Sequence, residues 1–378
     1  MTPPAARKPT PRAAKAPAKA KPKATAKPKP AAKPKPKAKR AAKPRSRASG
    51  LTVAVTGPTG EIGKPFISAL ERAPEIGRII GMARRPFDPA SRGWGKTEYR
   101  QGDVSKREDV DALVAGADVV VHLAFIIVAS EGTQDINISG SRNVFAAAAA
   151  AGVGRVVYAS SVAAYGFHEG NPQPLLENVP TRGSEAHPYS AQKAAVERVL
   201  AETLTGTQTE AYVFRPCIVA GPDAPLLLDS IPYIQLSEKL PGAVRTLLDQ
   251  VPILKPVLPD PGVPFQLVHH DDVADALVAG VLGRGEPGVY NLAGDGELTM
   301  ATLADELGYY SVPIPELAVD ATATIIARLP MLPPEARWIE AFRTPVLMAT
   351  AKAQSTLGWK PKFDAVETLR ETIAANRP

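Results

Sequence analysis

Cysteine occurs once in 378 residues, at Cys217, so no disulfide can form within the chain and its chemistry suits a reducing compartment. Long apolar runs are also missing. The longest, from Val119 to Ala129, is broken by His122 and falls short of the roughly 20 residues that span a bilayer. No apolar segment of the signal-peptide kind opens the chain. The expectation is a soluble cytoplasmic protein with no membrane partner. Acidic residues are absent from the first 50 positions, which hold 17 of the 45 Lys and Arg. The other 28 basic residues face all 38 acidic ones, so a net charge of +7 conceals a body of net charge −10.

Residues 1–50 are Lys, Ala and Pro in irregular Lys-Pro and Ala-Lys units. Prolines block helix, like charges repel, and beyond Met1 no large apolar side chain is there to bury. This predicts a disordered, locally extended tail. Its composition resembles that of linker-histone tails and fits weak, non-specific binding of nucleic acid by counterion release. A solvated extension without a partner explains the composition equally well, and both readings stay open.

The body begins with Leu51-Thr52-Val53-Ala54-Val55-Thr56-Gly57-Pro58-Thr59-Gly60-Glu61-Ile62-Gly63. Val53 and Val55 suit a buried strand, and Ile62, Phe66, Ile67 and Leu70 recur at helical spacing. Between them, Gly57, Gly60 and Gly63 permit a tight turn, close approach of a pyrophosphate and contact of helix on strand. Strand before and helix after supply the context that a dinucleotide site requires. Strands and helices then alternate, which predicts an α/β doubly wound parallel sheet of Rossmann type with helices on both faces. Strands are expected at 78–83, 97–101, 118–124, 155–161, 211–215, 265–268 and 289–292. Helices are expected at 135–151, 187–204 and 365–375. Residues 51–220, rejoined by about 264–295, form the cofactor core. Residues 221–263 and 296–378 form a smaller substrate-binding part.

Tyr189 and Lys193 lie four apart on the helix from His187, so phenol and ammonium share one face. A nearby cation favours phenolate, and a lowered tyrosine pKa is what a general acid or base needs. Such a pair alone means little. It gains weight from Ser160-Ser161 at the end of a buried strand, downstream of the glycine turn.

These motifs together resemble the short-chain dehydrogenase/reductase superfamily, in its extended branch of NAD-dependent epimerases and dehydratases, from Leu51 to the C-terminus. Further matching segments are Gln101-Gly102-Asp103-Val104, His122-Leu123-Ala124, Asn137-Ile138-Ser139-Gly140, Val157 to Gly166, Arg215 to Pro222, Thr350-Ala351-Lys352-Ala353 and Leu357-Gly358-Trp359-Lys360-Pro361. The resemblance implies Ser161, Tyr189, Lys193 and Asn137 as the catalytic set. Tyr189 exchanges a substrate hydroxyl proton while hydride passes to or from a nicotinamide. Lys193 holds the nicotinamide ribose and depresses the tyrosine pKa. Ser161 donates to the substrate oxygen. Cofactor contacts are implied at Thr56, Gly57, Thr59, Gly60, Glu61, Ile62, Gly63, Asp103 (adenine), Val104, Leu123, Ala124, Lys193, Pro216 and Ile218. A homodimer through the helix bearing Tyr189 is implied by analogy.

Two departures refine the expectation. Val162 and Ala163 stand where dehydratases of this branch carry an acidic pair, which argues against dehydration. About 20 residues past the glycine turn, where an acid binds the NAD ribose, stand Ala83, Arg84 and Arg85. Two guanidiniums without a carboxylate favour a 2′-phosphate, hence NADP over NAD. No metal site is expected: adjacent His269 and His270 are read as pointing to opposite faces of a strand, and Asp271-Asp272 as capping a helix. Asp223 and Glu238 are read as surface charges, and Trp94 as a loop residue. The leucines after Gly221 suit a less polar substrate or plain core packing. Three readings follow: an NADP-dependent oxidoreductase or epimerase acting on a small molecule, a catalytically quiet sensor of the same fold, and a nucleic-acid-associated protein acting through its tail.

Overall fold

The protein is described by a computed structural model covering residues 50–127, 132–231, 234, 255–314 and 344–376. The tail expected at 1–50, apart from Gly50, and Glu238 lie outside the described residues.

Seven strands form one parallel sheet: β1 (Leu51–Thr56), β2 (Ile76–Ala83), β3 (Thr97–Gln101), β4 (Val119–His122), β5 (Arg155–Ala159), β6 (Glu210–Pro216) and β10 (Gly288–Leu292). Their spatial order is β10-β6-β5-β4-β1-β2-β3. Residue alternation sends every strand except the edge strand β3 into two cores. Val53, Val55, Val121, Val157 and Phe214 face α1 (Gly63–Arg72) and α6 (His270–Leu282). Ala54, Ile80, Val120 and Val156 face α2 (Arg107–Val114), α3 (Thr133–Ala151) and α4 (Pro188–Leu204). Burial on both sides explains why these strands read as continuous apolar runs. The order reverses between β1 and β4, so their C-terminal ends open a crevice where ligands of such sheets bind.

Beyond β6, β7 (Ile218–Ala220) pairs with β9 (Leu267–His269), and β8 (Val257–Asp260) pairs with β11 (Tyr310–Pro313). Leu227, Leu228, Ile231 and Ile234, in and after the short α5 (Leu226–Asp229), are buried with Leu258, Phe265 and Leu298. Leu303 and Leu307 of α7 (Met300–Leu307) and Leu369 of α9 (Ala365–Asn376) close the same cluster. Leu227 and Leu228 are therefore core side chains and carry no information on substrate polarity. Near the C-terminus, α8 (Ala351–Leu357) precedes the Gly358-Trp359-Lys360-Pro361 stretch.

Several side chains depart from expectation. Trp94 is the loop residue expected, yet it is buried at 6% exposure, tilted against Phe87 and donating to Ser68 Oγ at 3.1 Å, because the chain from Pro89 folds back over α1. Asp223 pairs with Arg92 (3.0 Å) and Lys64 (3.6 Å) rather than standing alone at the surface. His269 and His270 do not diverge. The strand ends at His269 and helix begins at His270, which brings the rings to 4.3 Å between centroids. His269, not an aspartate, caps α6 by accepting from Asp271 N–H. Asp272 is buried and accepts from the backbone N–H groups of Lys362 and Phe363, while Trp359 donates to the Asp272 carbonyl at 2.8 Å.

Candidate active site

The glycine turn is shaped by contact. Gly57 has φ +73°, and a Cβ there would stand 2.8 Å from the amide nitrogen of Ala124. A Cβ on Gly63 would lie 2.2 Å from the Gly57 carbonyl oxygen. Neither position tolerates a side chain. Gly60 is different, since its Cβ would only touch that carbonyl at 3.6 Å. Thr59, Glu61 and Ile62 complete the turn, and α1 begins with no side-chain cap and no acid in its first turn. A helix start with no capping side chain and no acid, beside an uncrowded glycine, fits an anionic pyrophosphate.

Thr56 turns inward. Its hydroxyl accepts from the N–H groups of Leu123 and Ala124 (3.3 Å each) and bonds His122 Nδ1 at 2.8 Å. His122 Nε2 meets Ser141 Oγ at 2.9 Å, and that hydroxyl donates to the Asn137 carbonyl at 2.7 Å. This order places the imidazole proton on Nε2. Burial pushes the His122 pKa down to about 3, so the ring is neutral.

Arg84 and Arg85 are exposed at the end of β2, beside the β3 end that leads to Asp103. Burial raises the Asp103 pKa, but hydrogen bonding from Ser105 and the charges of Arg84 and Lys106 outweigh it and hold the carboxyl below its usual value. Val104 packs on Gly140, where a Cβ would sit 2.7 Å from Val104 Cγ2. Across the sheet, Pro216 is buried at the end of β6 and Ile218 half-buried at the start of β7.

Ser161 follows β5 and starts a 3-10 turn (Val162–Tyr165), accepting from Ala163 N–H at 3.1 Å. Ser190 pins α4 to that turn, donating to the Ala163 carbonyl at 2.6 Å. Tyr189, its neighbour, lies near enough to Ser161 for the serine hydroxyl to draw its phenol pKa down. Lys193, only 4% exposed, donates to the Ala159 carbonyl at 2.9 Å, with its ammonium 5.7 Å from the Tyr189 ring centroid. Serine, phenol and amine thus share one place.

The electrostatics differ from expectation. Burial pushes the Tyr189 phenol up to about 12, opposed only by the Ser161 hydroxyl. The expected depression by Lys193 is not among the influences on the phenol, which burial dominates. Burial also pushes Lys193 itself down to about 7, partly offset by the charge of Glu197.

Asn137 is engaged elsewhere. Its amide accepts from Ile126 N–H, donates to the Ile126 carbonyl (both 2.9 Å) and donates to Gln192 Oε1 at 2.7 Å. It holds the segment after β4 against α4.

Three participants were not singled out in the sequence. Phe125 lies 4.0 Å below the Lys193 ammonium. The apolar run continuing past His122 was its only signal. Glu197, one turn beyond Lys193, accepts from Ser160 Oγ and forms a buried ion pair with Arg215 at 2.6 Å. Arg215 also stacks 4.5 Å over the ring of Tyr165, whose hydroxyl donates to Asn291 Oδ1 at 2.7 Å. Ser160 and Tyr165 are thereby structural.

Comparison with known proteins bears on this geometry. The model of the NAD dependent epimerase/dehydratase family matches residues 53–293. Human 3 beta-hydroxysteroid dehydrogenase type 7 is 30% identical over 173 residues, 42% of this chain and 46% of its own length. Ceramide reductase of Caulobacter vibrioides is 30% identical over 232 residues, 60% of either chain. The match thus spans about half the length of these relatives. A short-chain dehydrogenase/reductase superfamily protein of Agrobacterium tumefaciens with bound NAD superposes with a TM-score of 0.64 at 19% identity, over 86% of this chain and 97% of that one. The last likeness is one of fold.

Proposed function

Because the chain belongs to the NAD-dependent epimerase/dehydratase family, we propose that it is a nicotinamide-dependent oxidoreductase acting at a secondary alcohol or ketone. The observation that carries this is the meeting of Ser161, Tyr189 and Lys193 at the end of β5, with the glycine turn reached through Leu123–Ala124. The glycine turn and the start of α1 would hold the pyrophosphate, Asp103 and Val104 the adenine end, and Lys193 the nicotinamide ribose. Bound there, the dinucleotide supplies or accepts a hydride.

The chain's own residues do the rest. Tyr189 is protonated at neutral pH, the form that donates to a carbonyl oxygen as reduction proceeds. Ser161 adds a second hydrogen bond to that oxygen, worth a few-kcal/mol preference for the charged state, by analogy with oxyanion donors at about 2.7–4 kcal/mol. Lys193, with a pKa near 7, carries enough positive charge to support the phenolate left behind. Val162 and Ala163 offer no acid or base for expelling water, which disfavours dehydration. Arg84 and Arg85, exposed and beside Asp103, favour the 2′-phosphate of NADP. The names of the steroid dehydrogenase and the ceramide reductase favour a substrate with much hydrocarbon.

One experiment addresses both halves. Nicotinamide fluorescence should report NADPH binding by wild type and Tyr189→Phe alike, while the variant loses at least about 100-fold in turnover. Near-normal turnover by Tyr189→Phe rejects the tyrosine role, and a higher kcat/KM with NADH than with NADPH rejects the arginine reading.

A further inference from the structure

We infer that Phe125 determines substrate choice: its ring is the wall against which the carbon skeleton beside the reacting C–O group lies, and it admits hydrocarbon in preference to hydroxylated carbon. This rests on the oxidoreductase reading above and deepens it.

The argument starts with how the ring is placed. β4 ends at His122, and Leu123 and Ala124 run against Gly57 of the glycine turn. The chain then bends toward α4. Asn137 fixes the bend by pairing with both the N–H and the carbonyl of Ile126, and ties it to Gln192 of α4. Phe125, immediately before the clamped residue, has little freedom to move away.

From that position the ring meets both members of the candidate pair. The Lys193 ammonium sits 4.0 Å from its centroid, and the Tyr189 ring stands edge-on to it at 5.5 Å with an interplanar angle of 87°. The ring is half-buried, and Ile127 beyond it is 36% exposed. The ring carbons themselves would offer a sugar hydroxyl laid on them only a weak π contact for the water it gives up. A methylene there would lose only water contacts. The same ring steadies the lysine charge through its π-face. Leucine in its place would keep the wall and lose the cation contact, whereas serine would lose both.

The test uses the full chain loaded with NADP+. Calorimetry would compare pregnenolone, as an apolar secondary alcohol, with UDP-glucose, as a sugar probe, on wild type, Phe125→Leu and Phe125→Ser. Wild type is expected to bind pregnenolone the more tightly. Phe125→Ser should lose about tenfold or more of that affinity, while NADP+ binding stays within about threefold. Phe125→Leu should retain pregnenolone binding, which keeps the test decisive should the serine variant fold poorly. Tighter wild-type binding of UDP-glucose, binding of neither probe, or unchanged pregnenolone binding in Phe125→Ser would overturn the inference. Each of those results leaves Tyr189-dependent hydride transfer standing. Failure of wild type to bind any nicotinamide dinucleotide removes the functional reading instead.

Discussion

Glu61 brings a carboxyl group into the glycine turn and uses it to accept from the N–H of Leu226, the first residue of α5, at 3.2 Å. Burial pushes its pKa up to about 7. The Leu226 hydrogen bond opposes that rise, Asp229 adds to it, and Lys64 and His270 oppose it. A carboxyl raised above its unfolded value binds a proton on folding between about pH 4.5 and 7. Its contribution to stability is therefore complete below pH 4.5 and is lost as the pH climbs through 7. Glu61→Gln should flatten that fall. Urea titrations at pH 4.5 and 7.5 should give wild type a decline larger by roughly 1–2 kcal/mol, discounted from the full shift because the site is only half-buried. Equal declines in the two proteins would show that Glu61 is ionised throughout. His122 acts in the other direction. Its pKa near 3 means that an unfolded imidazole gains a proton the native one refuses, so it withdraws stability as pH falls below about 6.5.

At the scale of elements, α4 carries more than the candidate pair. One turn beyond Lys193 it presents Glu197 to Arg215 of β6, with side chains 9% and 5% exposed. Glu197→Leu strands a guanidinium in the interior and should cost about 3–5 kcal/mol in equilibrium unfolding, while the double variant Glu197→Leu/Arg215→Met should recover most of that loss. If the single variant were no less stable than the double, the pair would not be the tie between helix and sheet. The helix also illustrates what a sequence can carry. The spacing of Tyr189 and Lys193 located their shared face, because periodicity is a local property of the chain. Their ionisation was beyond its reach, because burial and the Ala159 carbonyl come from β5, which is distant in sequence. Strands β1, β4 and β5 were legible for the same local reason, being valine-rich runs buried on both sides. His269 and His270 misled because the switch from strand to helix falls between them, and a one-residue boundary decides whether neighbouring rings diverge or stack. Phe125 looked like the tail of a buried strand, and only the clamp from Asn137 turns it toward α4.

The molecule as a whole divides its charge between a basic first 50 residues and an acidic remainder. We propose that any nucleic-acid binding belongs to the tail and is separable from dinucleotide chemistry in the body. Deleting residues 1–50 should abolish salt-sensitive retention on duplex DNA and leave NADPH affinity within about twofold. Retention that survives the deletion would move the nucleic-acid contact into the body. No helix among the described residues is long and apolar enough to cross a membrane. The sheet itself closes late. Its outermost strand beside β6 is β10, and the Cys217 N–H bonds the Leu292 carbonyl at 2.9 Å across that seam. During synthesis, then, β6 leaves the ribosome with a bare row of amide and carbonyl groups along one side. It stays bare until Leu292 has emerged, after the whole excursion through β7, β8, β9 and α6. A nascent chain halted in that interval would expose a sticky margin to its neighbours, so translation pauses before β10 should favour aggregation and those after it should not.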